Sequence, residues 1–426
     1  RIASVHNGSS LFTGDAGGGE SNIRRYIIEN DYLEAIIQLP NNIFYNTGIT
    51  TYIWLLSNNK RPERRGKVQL IDANKVYEKL RKNLGDKNCA LNDAHIDEIM
   101  RVYEEMEIIE PTFEEAGSPN ATLASQIFNN EDFGYYRVNI ERPDRRQAQL
   151  SAERIEALRF NSQNALNEAM QHIYETWGDA VYEKDFFKTH REEISQWLDD
   201  AEISISTKQK STLLSEKAWH DQRQLVIAGN LLMEEIGTEL YNDFNHFKTL
   251  VEAAEKSANF KAANIKLTAS DRTKILEAVS WYDESAEKVI RRVEKLKGEK
   301  LEKLLTRLGC EASALPDFGY YPTDKPGEYL TYERCTALRD SESIPLDRQN
   351  PNVILDYFRE EVKPHVDEAW IDLESVKIGY EISFNKYFYR HKPLRSLSEV
   401  TNEILALEKE ADGLIADILN FESRGA

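Results

Sequence analysis

The chain has 426 residues, 41% hydrophobic and 30% charged, and a formal net charge of −19. That length suits two or three soluble globular domains, and no apolar run is long enough to span a bilayer. The acid excess argues against a chain that grips nucleic-acid phosphates unaided, because such chains carry basic excess. DNA contact is then either confined to a local patch, with a partner supplying most positive surface, or absent.

Arg1-Ile2-Ala3-Ser4-Val5-His6 reads as an apolar strand already under way and is too short for a signal peptide. With no initiating Met, it is expected to be a fragment or a processed product, with an unpaired sheet edge covered or paired by a neighbour. Asn7-Gly8-Ser9-Ser10 is a turn signal, Thr13 to Gly19 is a Gly-rich loop, and Glu20 opens a helix to about Glu29. Apolar strands follow at Glu34–Leu39, Thr50–Leu56 and Val68–Asp72.

Between the first two of these strands lies Leu39-Pro40-Asn41-Asn42-Ile43-Phe44-Tyr45-Asn46-Thr47-Gly48-Ile49. A strand–loop–strand presenting Phe44 and Tyr45 suits stacking on a flat ligand; the bland alternative is that Phe44 folds back as a local plug. Lys60 to Lys82 holds nine Lys and Arg against three acids. Lys60, Arg61, Arg64 and Arg65 follow the second strand, either as phosphate contacts or as a solvated basic loop. Arg24 and Arg25 read as helix surface.

Residues 74–107 carry helical patterns, with Ile96, Ile99, Met100 and Tyr103 at helix spacing and Asn92 or Asp93 as cap. A linker follows from Pro111 to Thr122, then an extended aromatic stretch from Asp132 to Pro143. Ser151 to Leu308 reads as almost all helix, with Trp177, Trp197, Trp219 and Trp281 as helix–helix core. Residues 309–352 are broken by Gly and Pro and read as an irregular connector; Val353 to Val362 is a short helix.

The last helix carries Leu397, Val400, Ile404, Leu407, Ala411, Leu414 and Ile418 in alternating steps of 3 and 4, with Ser396 and Glu399 as a capping box. This a/d seam needs a partner helix, inside the fold or on another subunit. The domains expected are residues 1–143, 151–308 and 309–426.

Leu39-Pro40, Phe44 and Thr47-Gly48 between two apolar strands resemble the last conserved motif of N6-adenine DNA methyltransferases. More narrowly, the chain resembles the modification subunit of type I restriction-modification systems. Asn7-Gly8-Ser9-Ser10-Leu11-Phe12, Gly14-Asp15, Gly19-Glu20 and Ile23-Arg24-Arg25 agree, as do Gly379-Tyr380-Glu381-Ile382, Phe384 and Tyr387-Phe388-Tyr389. The resemblance implies a mixed fold: a partial α/β, Rossmann-like methyltransferase sheet at the N-terminus, a large all-α region, and a C-terminal heptad helix for assembly.

It also implies methyl transfer from S-adenosylmethionine to N6 of adenine in DNA, in the cytoplasm. The partners implied are a specificity subunit, a second modification subunit and a restriction subunit. Phe44 would stack on the flipped adenine, with Tyr45 beside it and Asn46, Thr47 and Gly48 shaping the loop.

The cofactor loop and the Asn-Pro-Pro-aromatic turn of such enzymes are not found: the sequence holds no Pro-Pro, and Asn350-Pro351-Asn352 reads as a capping turn. Gly17-Gly18-Gly19 reads as a loop over the substrate side, since a lone Gly-rich loop is weak evidence for phosphate binding. The chain alone is therefore expected to be inactive. The alternative is a non-catalytic helical interaction module. Cys89, Cys310 and Cys335 are too few and too scattered for a disulfide frame, and the histidines lack metal-ligand spacing.

Overall fold

The computed structural model describes residues 1–160, 164–389, 396–407 and 409. It is a mixed α/β structure in two compact units, each assembled from separated segments. The first is Arg1–Arg137 with Ser343–Gln349 and Lys377–Ala426; the second is Val138–Glu342 with Asn350–Val376. This differs from three consecutive domains, because residues at the end of the chain pack with its beginning.

In the first unit, β1 (Ile2–Asn7), β2 (Leu33–Gln38), β3 (Thr51–Leu56), β4 (Lys67–Asp72) and β7 (Ala124–Asn129) form one sheet in the order β1-β3-β2-β4-β7. β2 and β4 are parallel; β3 is antiparallel to both β1 and β2. The edge expected at the first strand is there: among the described residues β1 pairs on one side only, and Ile2 and Val5 are more than half exposed.

Strand alternation sorts the apolar side chains onto two faces. Ile36, Trp54 and Leu70 face one side, with Ile28 from α1 (Gly19–Glu29) and with Tyr380, Ile382, Phe384 and Phe388. These late side chains are buried, and each contributes about 1.5–3 kcal/mol by leaving water. Ala35, Ile37 and Ile71 face the other side, against Ile99, Val102 and Tyr103 of α2 (Asp93–Glu105). The Asn92 side chain accepts from His95 N–H at 2.9 Å and caps α2, as the sequence suggests.

The helical reading of 74–107 is correct for α2 and wrong before it. β5 (Glu78–Leu84) and β6 (Lys87–Ala90) form a hairpin turning at Gly85-Asp86. Glu, Lys, Leu and Arg favour helix locally, but contacts with the loop at 40–50 decide otherwise.

From Ala152 through Ala278 the second unit is built of helices, around two apolar clusters. The expectation of helix to 308 fails at Ser280–Tyr282, which pairs with Arg146–Ala148, and at Ile290–Lys295, which pairs with Glu328–Tyr332 in the supposed connector. Those pairings span more than 30 residues and leave no local periodicity. Trp219 is fully buried, and its indole donates to Leu213 O at 2.8 Å. Trp281 instead lies on a strand, with the Arg154 guanidinium 4.1 Å from its ring centroid.

Candidate functional site

β2 ends at Gln38, and Leu39 N–H still donates to Thr51 O at 2.9 Å, so residues 40–50 form a closed excursion between adjacent strands. Asn42 takes a left-handed φ of 57°. Phe44 and Thr47 bridge across the tip, and Thr47 Oγ1 accepts from Ile49 N–H at 3.3 Å. Thr50 Oγ1 donates to Asn41 Oδ1 at 2.5 Å and closes the base. Asn46 and Gly48 are exposed; a Cβ at Gly48 would lie 2.8 Å from Asn42 Nδ2.

The β5–β6 hairpin holds this loop. Asp86 N–H donates to Tyr45 O, Asn88 N–H to Asn42 O, and Asn42 Nδ2 to Asp86 O, each at 3.0 Å. Buried Cys89 donates its thiol to Asn41 O at 3.1 Å. A Cβ on Gly85 would come within 2.5 Å of Tyr45 O, so glycine permits the approach.

The two aromatics part company here. Phe44 is half-buried against the cluster of Ile37 and Ile71. Tyr45 is 62% exposed, with Lys87 Nζ 5.2 Å from its ring centroid.

The basic residues after β3 do not act as a set. Lys60 is buried and bonds Asp31 Oδ1 at 2.6 Å and Lys67 O at 2.8 Å. Arg64 is buried over the Tyr103 ring and donates to Tyr103 O and Gln69 Oε1. Neither can reach a phosphate; Arg61 and Arg65 are exposed. Arg24, read as surface, is 2% exposed. The cations that do face solvent beside the aromatic loop are Lys79, Arg81, Lys82 and half-buried Lys87. The sequence reading passed over their Gly-Asp turn signal at 85–86.

At the carboxyl ends of the parallel strands β2 and β4, Gln38 pairs with Asp72. Burial pushes the Asp72 carboxyl up, against the Asn74 N–H donated to it. Burial, and then Asp72, push the Tyr52 phenol up.

The Gly-rich loop is closed on itself at one glycine. Gly18 N–H donates to Asp15 O at 2.7 Å, Gly17 packs against Lys377, and the Glu20 side chain folds onto Gly14. No methyl-transfer step is therefore assigned to it. No cluster of metal ligands occurs among the described residues.

Residues 397–407 are helical; Leu397 is 85%, Ile404 58% and Leu407 63% exposed, with Val400 half-buried. Ala411, Leu414 and Ile418 lie outside the described residues. No described helix is long and apolar enough to cross a membrane.

Residues 1–143, which hold the sheet, the aromatic loop and the hairpin, match the model of the N-6 DNA Methylase family. Within that class, the chain is similar to methylase subunits of type I restriction enzymes. It is 38% identical over 115 residues to the MjaVII methylase subunit of Methanocaldococcus jannaschii, covering 26% of this chain and 18% of that protein. The MjaVIII methylase subunit of the same organism is 33% identical over 94 residues, covering 22% of this chain and 16% of the relative. The matched stretch thus spans less than a fifth of either relative. The type I restriction-modification methyltransferase subunit from Streptococcus thermophilus aligns with a TM-score of 0.24 at 27% identity, over 31% of this chain and 23% of that one.

Proposed function

We propose that this chain is part of a type I modification methyltransferase that transfers a methyl group from S-adenosylmethionine to N6 of adenine in DNA. In this reading the loop at 40–50 is one wall of the pocket for the target base. A base inside a duplex must be extruded before its amine can react. An aromatic face then supplies about 1–3 kcal/mol of stacking. The observation that carries the reading is the exposed Tyr45 ring on a loop whose backbone is bonded to a second element at both Tyr45 O and Asn42 O.

Tyr45 offers the open ring face. Phe44, anchored in the cluster below, fixes the loop and contributes its uncovered edge. Asn46, Thr47 and Gly48 set the tip.

The methyl donor is bound by residues other than the Gly-rich loop, and this chain alone transfers no methyl group: it lacks any Pro-Pro from which an Asn-Pro-Pro-aromatic turn could be built. It works in the cytoplasm with a specificity subunit that reads the sequence, a second modification subunit and a restriction subunit. The net charge of −19 fits a protein whose partner carries much of the basic surface.

The test is made in the assembled methyltransferase, with 2-aminopurine at the target position. Tyr45→Ala is expected to lower methyl transfer about tenfold or more and to reduce the fluorescence change on base capture, with S-adenosylmethionine affinity unchanged. Equal losses in cofactor and base binding would assign the loop a folding role and sink the reading. A second reading, a non-catalytic helical scaffold, draws on the exposed Leu397, Ile404 and Leu407. It predicts that neither Tyr45→Ala nor Phe44→Ala alters methylation in the assembly.

A further inference from the structure

We infer that the β5–β6 hairpin grips the sugar-phosphate backbone of the DNA strand whose base lies against Tyr45, through Lys79, Arg81, Lys82 and Lys87. This rests on the base-wall reading above and adds a phosphate subsite to it. Lys79, Arg81 and Lys82 are exposed, and among the described residues none of the four cations forms an ion pair. That sets them apart from Lys60 and Arg64, whose charges are spent inside the fold.

The hairpin carries two carboxylates against these four cations, which leaves it a basic surplus. Glu78 accepts from Asn92 Nδ2 at 3.2 Å, and Asp86 lies at the turn. In a chain of net charge −19, an uncommitted basic hairpin is the local patch that polyanion binding requires.

The backbone reinforces the argument. Lys79 pairs with Cys89 and Leu84 with Lys87, so residues 80–83 stand opposite Asn88 alone and bow out of the ladder, carrying Arg81 and Lys82. Such bulges re-aim side chains next to binding sites. Asp86 at the turn is bonded to Tyr45 O and Asn88 on β6 to Asn42 O, so the cations and the stacking ring are held on one frame. A phosphate contact positions the strand and a ring contact takes the base; a shared frame lets the first present the second.

The 426-residue chain is titrated with a fluorescein-labelled duplex carrying an adenine opposite an abasic site, across a range of salt concentrations. The Lys79→Gln, Arg81→Gln, Lys82→Gln triple variant is expected to bind about tenfold to a hundredfold more weakly. Its log–log salt slope should be shallower by about 2 to 3, with thermal unfolding unchanged. Lys79→Arg with Lys82→Arg should bind as the parent does, which excludes a folding artefact. An unchanged salt slope in the triple variant would overturn the inference, as would absence of duplex binding by the parent chain. The base-wall reading is judged separately, by methyl transfer with Tyr45→Ala in the assembled enzyme, so either can fail alone.

Discussion

Arg24 Nε donates to the carbonyl of Tyr380 at 2.7 Å, joining residues 356 positions apart in the chain. Both are buried, at 2% and 1% exposure. Arg24 Nη1 also reaches Ser10 O at 3.2 Å, Ser21 Oγ accepts from Tyr380 N–H at 3.0 Å, and the Tyr380 phenol donates to Glu29 Oε1 at 3.1 Å. Burial, and then the Glu29 charge, push the phenol up to about 12, so it stays a donor at any working pH. One helix, α1, thereby fastens the late aromatic segment to the N-terminal sheet.

Replacing Arg24 with Met keeps the length of the side chain and strands the Tyr380 carbonyl. We expect a loss of about 2–3 kcal/mol in urea unfolding, the cost of an unmet buried acceptor and a lost charge-assisted bond. A loss below about 0.5 kcal/mol would mean that water or a neighbour replaces the bond fully.

Asp31 predicts an acid-sensitive limb. Burial alone would raise its carboxyl. Lys60 at 2.6 Å, Asn130 at 2.9 Å and Gly66 N–H at 3.1 Å outweigh burial and hold it below the ordinary carboxylate value. A depressed folded pKa gives stability that is complete above the unfolded value of about 3.9 and is lost as pH falls through the folded value. Lys60→Met removes the largest of these partners. It is expected to cost about 2 kcal/mol at neutral pH, since Asp31 keeps partial solvent access, and to move acid unfolding to higher pH. Coincident acid transitions in parent and variant would refute the assignment.

Gly85 and Gly48 make a matched pair. Gly85 has φ +64° and would direct a Cβ at the fixed carbonyl of Tyr45. Gly85→Ala is expected to cost about 1–2 kcal/mol and to speed amide exchange at Asp86 and Asn88, whose N–H groups hold the loop. At Gly48 the obstacle is the end of the Asn42 side chain, whose displacement gives up its bond to Asp86 O but leaves both backbone bonds of the loop in place, so Gly48→Ala should cost about 1 kcal/mol. Equal exchange rates in the two variants would show that the hairpin does not hold the loop.

Leu407 separates folding from assembly. It is 63% exposed, beside Ile404 on helical residues 397–407. Leu407→Asp is expected to leave thermal unfolding of the single chain within about 2 °C. Co-purification with the specificity subunit proposed above should be lost. Retained assembly with lowered thermal stability would place the seam inside the fold instead.

How much of this was legible in the sequence follows a physical divide. β2, β3, β4 and α1 were readable within a residue or two, because each carries its own apolar period and punctuation. The Phe44–Tyr45 loop was readable as a loop, but which ring is buried was not, since that depends on Ile37 and Ile71 beneath it. Buried cations were the least legible. Arg24, Lys60 and Arg64 look like surface charges by type, and each is paid for by a partner far along the chain. The β5–β6 hairpin was hidden because its residue types favour helix while its tertiary bonds impose strand.

The open side of β1 has a consequence for handling the protein. Among the described residues its outward N–H and C=O groups have no partner strand, and they are flanked by the exposed Ile2 and Val5, with α1 adding exposed Ile23 and Tyr26. At high concentration two copies can zip together along that strand. Solubility should then fall steeply with concentration and improve when Val5 is replaced by Lys, even though the fold itself is untouched.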